Sequence, residues 1–183
     1  VSAPEFRTER ILELLDELER RLDARGVALN IQIVGGAALL LHGLLDRSTQ
    51  DIDARYASAP VVEEVAGDMA VAYGLPASWL NSKAAAFLPD DAVWIAGKEG
   101  SSSAIWLADL QTLAAMKLAA ERQKDIEDLG RIANALGITD PADLVRIAYQ
   151  KYGEDSVPLS ASRENYEIVA EEAIAAATVL KRN

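Results

Sequence analysis

Between Asn30 and Asp53 the chain reads as a strand, a glycine turn, a helix and a second strand carrying two aspartates, an order that leaves few folds open. Asn30 to Val34 is short, β-branched and closed by Gly35-Gly36, so a buried strand is expected, whereas Ala37 to Leu44 consists of strong helix formers. The Gly35-Gly36 turn then stands at a helix N-terminus. There backbone N–H groups can approach an anion with no Cβ in the way, and the helix dipole favours a phosphate. Alternate residues of a strand face one way, so Asp51 and Asp53 should point together while Ile52 points into the core. Two carboxylates held that close repel unless a cation lies between them. Hard oxygen ligands suit Mg²⁺, which completes its octahedron with waters and substrate phosphates. Asp51 and Asp53 are therefore the candidate metal ligands, a solvated strand end being the alternative.

At these residues the chain resembles the polymerase-β-like nucleotidyltransferase superfamily, marked by a Gly-Gly or Gly-Ser turn and an Asp-x-Asp or Asp-x-Glu strand. Its Arg-x-Thr-x-Asp-Ile-Asp form (Arg47, Thr49, Asp51, Asp53), with Lys117 and Asp125 further on, is most similar to the small AbiEii-type, MNT-like bacterial proteins of toxin–antitoxin pairs. The resemblance covers residues 28–130. It implies Mg²⁺-dependent transfer of a nucleoside monophosphate from a nucleoside triphosphate to an acceptor, with release of pyrophosphate. It also implies a toxin acting on tRNA, often at its 3′ end, and a cognate antitoxin or toxin as protein partner. Gly35, Gly36, Arg47 and Lys117 would hold the triphosphate. Asp125, in a Lys/Arg-Asp-x-x-Asp stretch, would be a base or a metal-site partner, with Asp128 the lesser choice. The superfamily usually carries a third carboxylate on a later strand. Residues Ser103 to Leu107 include no acid and Glu99 falls in a predicted turn, so either a helix supplies the base or the chain binds nucleotide without efficient catalysis.

Charge bears on the acceptor. The formal net charge is −11 and is spread along the chain, which counts against tight binding of long DNA or RNA. It leaves room for a basic protein or a cationic small molecule as acceptor, as in antitoxin-like or aminoglycoside-type transfer, and for a non-catalytic nucleotide-binding partner in a toxin–antitoxin complex. The chain has no cysteine, which excludes disulfides and thiolate metal sites. No apolar run approaches the ~20 residues of a membrane span. A cytoplasmic protein without membrane contact is the expectation.

Elsewhere, Pro4 to Arg25 repeats apolar residues at helical spacing and ends at Gly26, predicting an amphipathic packing helix. Pro60 to Tyr73 is expected as a helix crossing the sheet. Ala92 to Ala96 and Ser103 to Trp106 flank Gly97 to Ser102 as a hairpin. Asp109 should start a helical stretch through Leu136, followed by helices over 140–152 and 160–181. In a continuous helix Lys117, Glu121, Lys124 and Asp128 share a face, and a solvated stripe with Lys117–Glu121 and Lys124–Asp128 ion pairs competes with a phosphate-binding Lys117. His42 reads as a packed helix residue, Thr49 as a turn residue, and Trp79 and Phe87 as core, with base stacking the rarer use. The fold class is α/β (α+β): a polymerase-β-like nucleotidyltransferase head with a mixed sheet, an N-terminal helix and a C-terminal helical part. The expected division is a nucleotidyltransferase core over 1–108 and a helical region over 109–183 packed on it.

Overall fold

A computed structural model describes residues 5–97, 102 and 104–180. Helix α1 (Thr8–Asp23) buries Ile11, Leu14, Leu15, Leu18 and Leu22 along one stripe and stops before Gly26, whose φ of +70° no side chain favours. Strand β1 (Ile31–Ile33), helix α2 (Gly35–Leu41) and strand β2 (Ile52–Tyr56) follow, then helix α3 (Ala59–Tyr73), closed by Gly74. Next come the two-residue strand β3 (Leu80–Asn81), a 3₁₀ turn over Lys83–Phe87, and strands β4 (Trp94–Ala96) and β5 (Ile105–Ala108). Helices α4 (Leu110–Ala120), α5 (Gln123–Leu136), α6 (Pro141–Tyr152) and α7 (Arg163–Leu180) complete the order.

The strands form one five-stranded sheet in the order β3-β2-β1-β5-β4. It is mixed: β1 runs antiparallel to β2 and parallel to β5, β3 parallel to β2, and β4 antiparallel to β5. This mixed α/β architecture is that of a polymerase-β-like nucleotidyltransferase head. Register sorts the side chains into two faces. Ile31, Ile33, Ile52, Ala54, Tyr56, Ile105 and Leu107 take one face and are all buried, whereas Gln32, Asp53, Arg55 and Trp106 share the other.

The chain divides into two compact units. Residues 1–86 and 94–108 make the first, in which α1 packs on α2 and α3, α2 on β2 and β5, and α3 on β3. Residues 87–93 and 109–183 make the second, a helical unit in which α4 packs on α6, α5 on α7, and both pairs on each other. In the second unit the 87–93 segment is tied to the helices by polar contacts. Tyr152 donates its hydroxyl to the Phe87 carbonyl at 2.6 Å, Lys151 Nζ to the Asp91 carbonyl at 2.9 Å, and Val93 N–H to Thr112 Oγ1 at 3.1 Å. Asp109 caps α4 by accepting from Thr112 N–H at 2.8 Å, and Asp140 caps α6 by accepting from Ala142 N–H at 3.0 Å.

Two expectations fail here. The stretch from Asp109 to Leu136 is two helices, broken at Glu121, which sits in the left-handed region at φ +48°. The solvated Lys117–Glu121 and Lys124–Asp128 stripe therefore does not form: the turn ends the helix that would carry Lys117 and Glu121 on one face, and Asp128, though on α5 with Lys124, is buried with Lys117 donating to it. Phe87 is not core: it is 61% exposed, whereas Trp79 is fully buried and donates Nε1–H to the Ala66 carbonyl at 2.9 Å. The β4–β5 hairpin forms as its flanking pattern predicts, while Lys98 to Ser101 and Ser103, including Glu99, lie outside the described residues. No helix among the described residues is long and apolar enough to cross a membrane.

Candidate active site

In the first unit the glycine turn and the Asp-x-Asp strand meet side by side. Val34 N–H donates to the Asp53 carbonyl at 2.9 Å, and Ile52 N–H to the Trp79 carbonyl at 2.7 Å, which fixes β2 at both edges. Ile52 is buried while Asp51 and Asp53 are half-buried, the alternation that a pleated strand demands. Gly35 has φ +66°, and a Cβ built there would stand 3.2 Å from Asp53 Oδ2. The Asp53 carboxylate thus lies against the bare Cα of Gly35. A Cβ on Gly36 would stand 3.2 Å from Thr49 Oγ1, so the second glycine makes room for the threonine of the Arg47-x-Thr49 segment.

Thr49 does more than enter a strand. Its backbone forms a two-way bridge with Phe6, N–H to carbonyl at 2.7 and 2.9 Å, and its hydroxyl donates to the Asp51 carbonyl at 3.3 Å. With Phe6 buried, and with Ser48 donating to Glu5 at 2.7 Å, the N-terminal segment clamps the loop that delivers Asp51. Arg47 is exposed on that loop. His42 Nε2 lies 2.8 Å from the Ala108 carbonyl and donates to it, which makes the histidine a packing residue as its place among leucines suggests.

Asn81 is the residue that sequence reasoning missed. It pairs in register with Asp53, is only 8% exposed, and donates from Nδ2 to Asp51 Oδ2 at 3.4 Å while its Oδ1 accepts from Lys83 N–H at 3.1 Å. A two-residue strand has no periodicity to read, so nothing in the pattern distinguished it from loop. Among the described residues no group of three histidines, cysteines or acids is placed to hold a metal ion. Asp51 and Asp53 still present hard carboxylate oxygens beside an amide. That donor set fits a Mg²⁺ ion whose remaining positions are taken by water and phosphate.

The second unit holds Lys117 and Asp125, and the break at Glu121 brings them together. Lys117 Nζ donates to Asp125 Oδ1 and, at 2.9 Å, to Asp128 Oδ2. Arg122 Nε donates to Asp125 Oδ2 at 2.7 Å, and Arg131 Nη1 lies 3.9 Å from Asp128 Oδ1. Asp125 is 3% exposed and Asp128 1%. Carboxylates reach that depth only when paired, and here three cations face two of them. The signal was present in the sequence: Asp125 and Asp128 take positions on the same face as Ile132, where an apolar residue is expected.

The sequence profile of a family described as "Nucleotidyltransferase of unknown function (DUF6036)" matches residues 9–156. The chain belongs to this nucleotidyltransferase family. The match runs from α1 through α6 and so takes in the glycine turn, Asp51, Asp53, Asn81, Lys117, Asp125 and Asp128. Searches of curated proteins and of solved structures returned no match.

Proposed function

We propose that the chain is a Mg²⁺-dependent nucleotidyltransferase of the AbiEii-like kind, moving a nucleoside monophosphate from a nucleoside triphosphate to an acceptor, with the tRNA 3′ end the favoured acceptor and a toxin of a toxin–antitoxin pair the favoured role. The observation that carries the catalytic part is the seat of the Asp53 carboxylate against Gly35, which joins the phosphate-binding turn to the metal-binding strand. Asp51 and Asp53 would hold the ion. When bound, it neutralises charge on the phosphate oxygens and on the departing pyrophosphate. The backbone N–H groups of Gly35 and Gly36 and the guanidinium of Arg47 are the proposed triphosphate ligands in the first unit.

Lys117 is a proposed phosphate ligand from the second unit. An ammonium has three donors; Asp125 and Asp128 take two, which fixes the lysine and leaves one for a phosphate oxygen. Asp125 serves this chemistry through the lysine it holds. Positioning and electrostatics supply the acceleration, since phosphoryl transfer asks little covalent chemistry of the protein. The tRNA acceptor, the toxin role and a cognate antitoxin rest on the Arg47-x-Thr49-x-Asp51-Ile52-Asp53 resemblance. The net charge of −11 supports a basic protein or cationic small molecule as the alternative acceptor.

A second reading, nucleotide binding without transfer, draws on Asn81, an amide at the register position beside Asp53. Manganese binding followed by electron paramagnetic resonance, run beside label transfer from α-labelled triphosphates, separates the two. Transfer lost together with Mn²⁺ binding in Asp51→Ala and Asp53→Ala supports the enzyme. Mn²⁺ and nucleotide bound by a wild-type protein that transfers nothing to RNA, protein or aminoglycoside supports the binding module. Transfer retained in both variants rejects the metal assignment.

A further inference from the structure

The sheet face that carries Asp53 also carries two tryptophans. Register places Arg55 opposite Gln32 and Gln32 opposite Trp106, so these three form a row across β2, β1 and β5, and Trp94 lies diagonally from Trp106 on β4. The Arg55 guanidinium stands 5.3 Å from the centre of the Trp94 ring, held there by the Nε hydrogen bond to Gln32 Oε1 at 2.6 Å. Trp106 is 38% exposed and Arg55 is exposed, while the opposite face of the same sheet is filled by buried aliphatic residues. An indole on the polar face leaves its hydrophobic surface unused. A guanidinium over an indole is, however, a cation–π pair beside which a further planar ring can pack.

We propose that Trp94, Arg55, Gln32 and Trp106 form a nucleobase subsite, which takes the base of the nucleoside triphosphate whose phosphates lie at Asp51 and Asp53. The assignment rests on the nucleotidyltransferase reading above. A strand rises about 3.3 Å per residue, so Arg55 lies roughly 7 Å beyond Asp53 on the same face, within the span of one nucleotide. Neighbouring strands stand about 4.8 Å apart, which makes the Arg55–Gln32–Trp106 row about the width of one base. The occupant is a mononucleotide and not a strand of nucleic acid. A single-stranded chain needs a cationic track along its backbone, and Arg55 is the only cation among the described strand residues of this face. Gln32 adds an amide able to pair with a base edge.

Isothermal titration of the full chain with the four nucleoside triphosphates, adenosine and inorganic tripolyphosphate, all with Mg²⁺, tests this, with Trp fluorescence as a second signal. Trp94→Ala and Arg55→Ala should weaken triphosphate binding about tenfold or more, the size of one lost base stack. Their tripolyphosphate affinity should stay within about twofold of wild type. Trp94→Phe should restore most of the nucleotide affinity, and adenosine should quench wild-type fluorescence more strongly than that of Trp94→Phe, where Trp106 alone reports from the subsite. Undiminished nucleotide affinity in Trp94→Ala overturns the subsite. So does equal loss of tripolyphosphate, which would mark a structural role, or a dimer in sedimentation that Trp94→Ala dissolves with nucleotide affinity intact. A single-stranded oligonucleotide that depends on Trp94 when mononucleotides do not also overturns it. Wild-type protein that binds tripolyphosphate but gains nothing from the base rejects the subsite alone, whereas failure to bind either rejects the functional reading beneath it.

Discussion

Gly35→Ala isolates the contact on which the site depends, and Gly36→Ala is its internal control. At Gly35 the backbone has φ +66°, and forcing an L side chain into the left-handed region costs roughly 1–2 kcal/mol. The new methyl would also stand 3.2 Å from Asp53 Oδ2, so the carboxylate must yield by a few tenths of an ångström. At Gly36 no positive φ has to be overcome, and the methyl meets only the Thr49 hydroxyl at 3.2 Å. Helix propensity favours alanine there by up to about 1 kcal/mol, which offsets that contact. Gly35→Ala should therefore be less stable than Gly36→Ala by about 1–2 kcal/mol, a midpoint roughly 2–8 °C lower in thermal melts. Urea denaturation with an unchanged m-value measures the difference. Mn²⁺ affinity should fall in Gly35→Ala, where Asp53 is displaced, and hold in Gly36→Ala. Equal stability of the two variants, within about 0.3 kcal/mol, refutes the backbone argument. Unchanged Mn²⁺ affinity in Gly35→Ala refutes the coupling of turn to carboxylate.

Gly130→Ala should destabilise the second unit by about 1–3 kcal/mol in urea, because the methyl would collide with the Ala173 carbonyl oxygen where α5 meets α7, and a backbone atom cannot swing aside. A neutral result would mean that the two helices do not approach so closely. Lys117→Met leaves Asp125 and Asp128 buried without their shared cation, at a cost of about 3–5 kcal/mol, and Lys117→Met with Asp125→Asn should cost less than the two changes summed. Strict additivity would show that the three groups do not act as one cluster. Burial pushes the Tyr152 hydroxyl above its ordinary value, so its stabilisation is complete below about pH 10 and is lost as pH rises towards the folded value. The urea midpoint should therefore fall more steeply above about pH 10 in wild type than in Tyr152→Phe. Identical slopes would contradict that assignment.

What could be read in the sequence followed from local chemistry. Leucine spacing gave α1, the glycine turn and Asp51-Ile52-Asp53 gave the junction of α2 and β2, and alternation across a Gly/Ser turn gave the β4–β5 pair. Asp109 and Asp140 behaved as helix caps. The break after α4 was not legible, because Glu121 is a good helix former that takes a left-handed conformation only under tertiary constraint. That one turn decides the second unit's chemistry. In an unbroken helix Lys117 and Asp125 would stand about 12 Å apart along the axis, whereas the turn folds α5 back and lets Asp125 and Asp128 grip the lysine together. Asn81 was hidden in a strand too short to show a period. Trp94 and Trp106 fell within the hairpin arms, where the sequence does not say which face they take, and only register shows that they share the polar face with Asp53.

Incubating the purified protein with each of the four α-labelled nucleoside triphosphates, Mg²⁺ and total tRNA or cell lysate, beside Asp53→Ala, tests the central claim most directly. The account predicts label carried covalently into an acceptor by wild type, tRNA foremost, and none by Asp53→Ala. Label transferred equally by both proteins, or by neither, would contradict it.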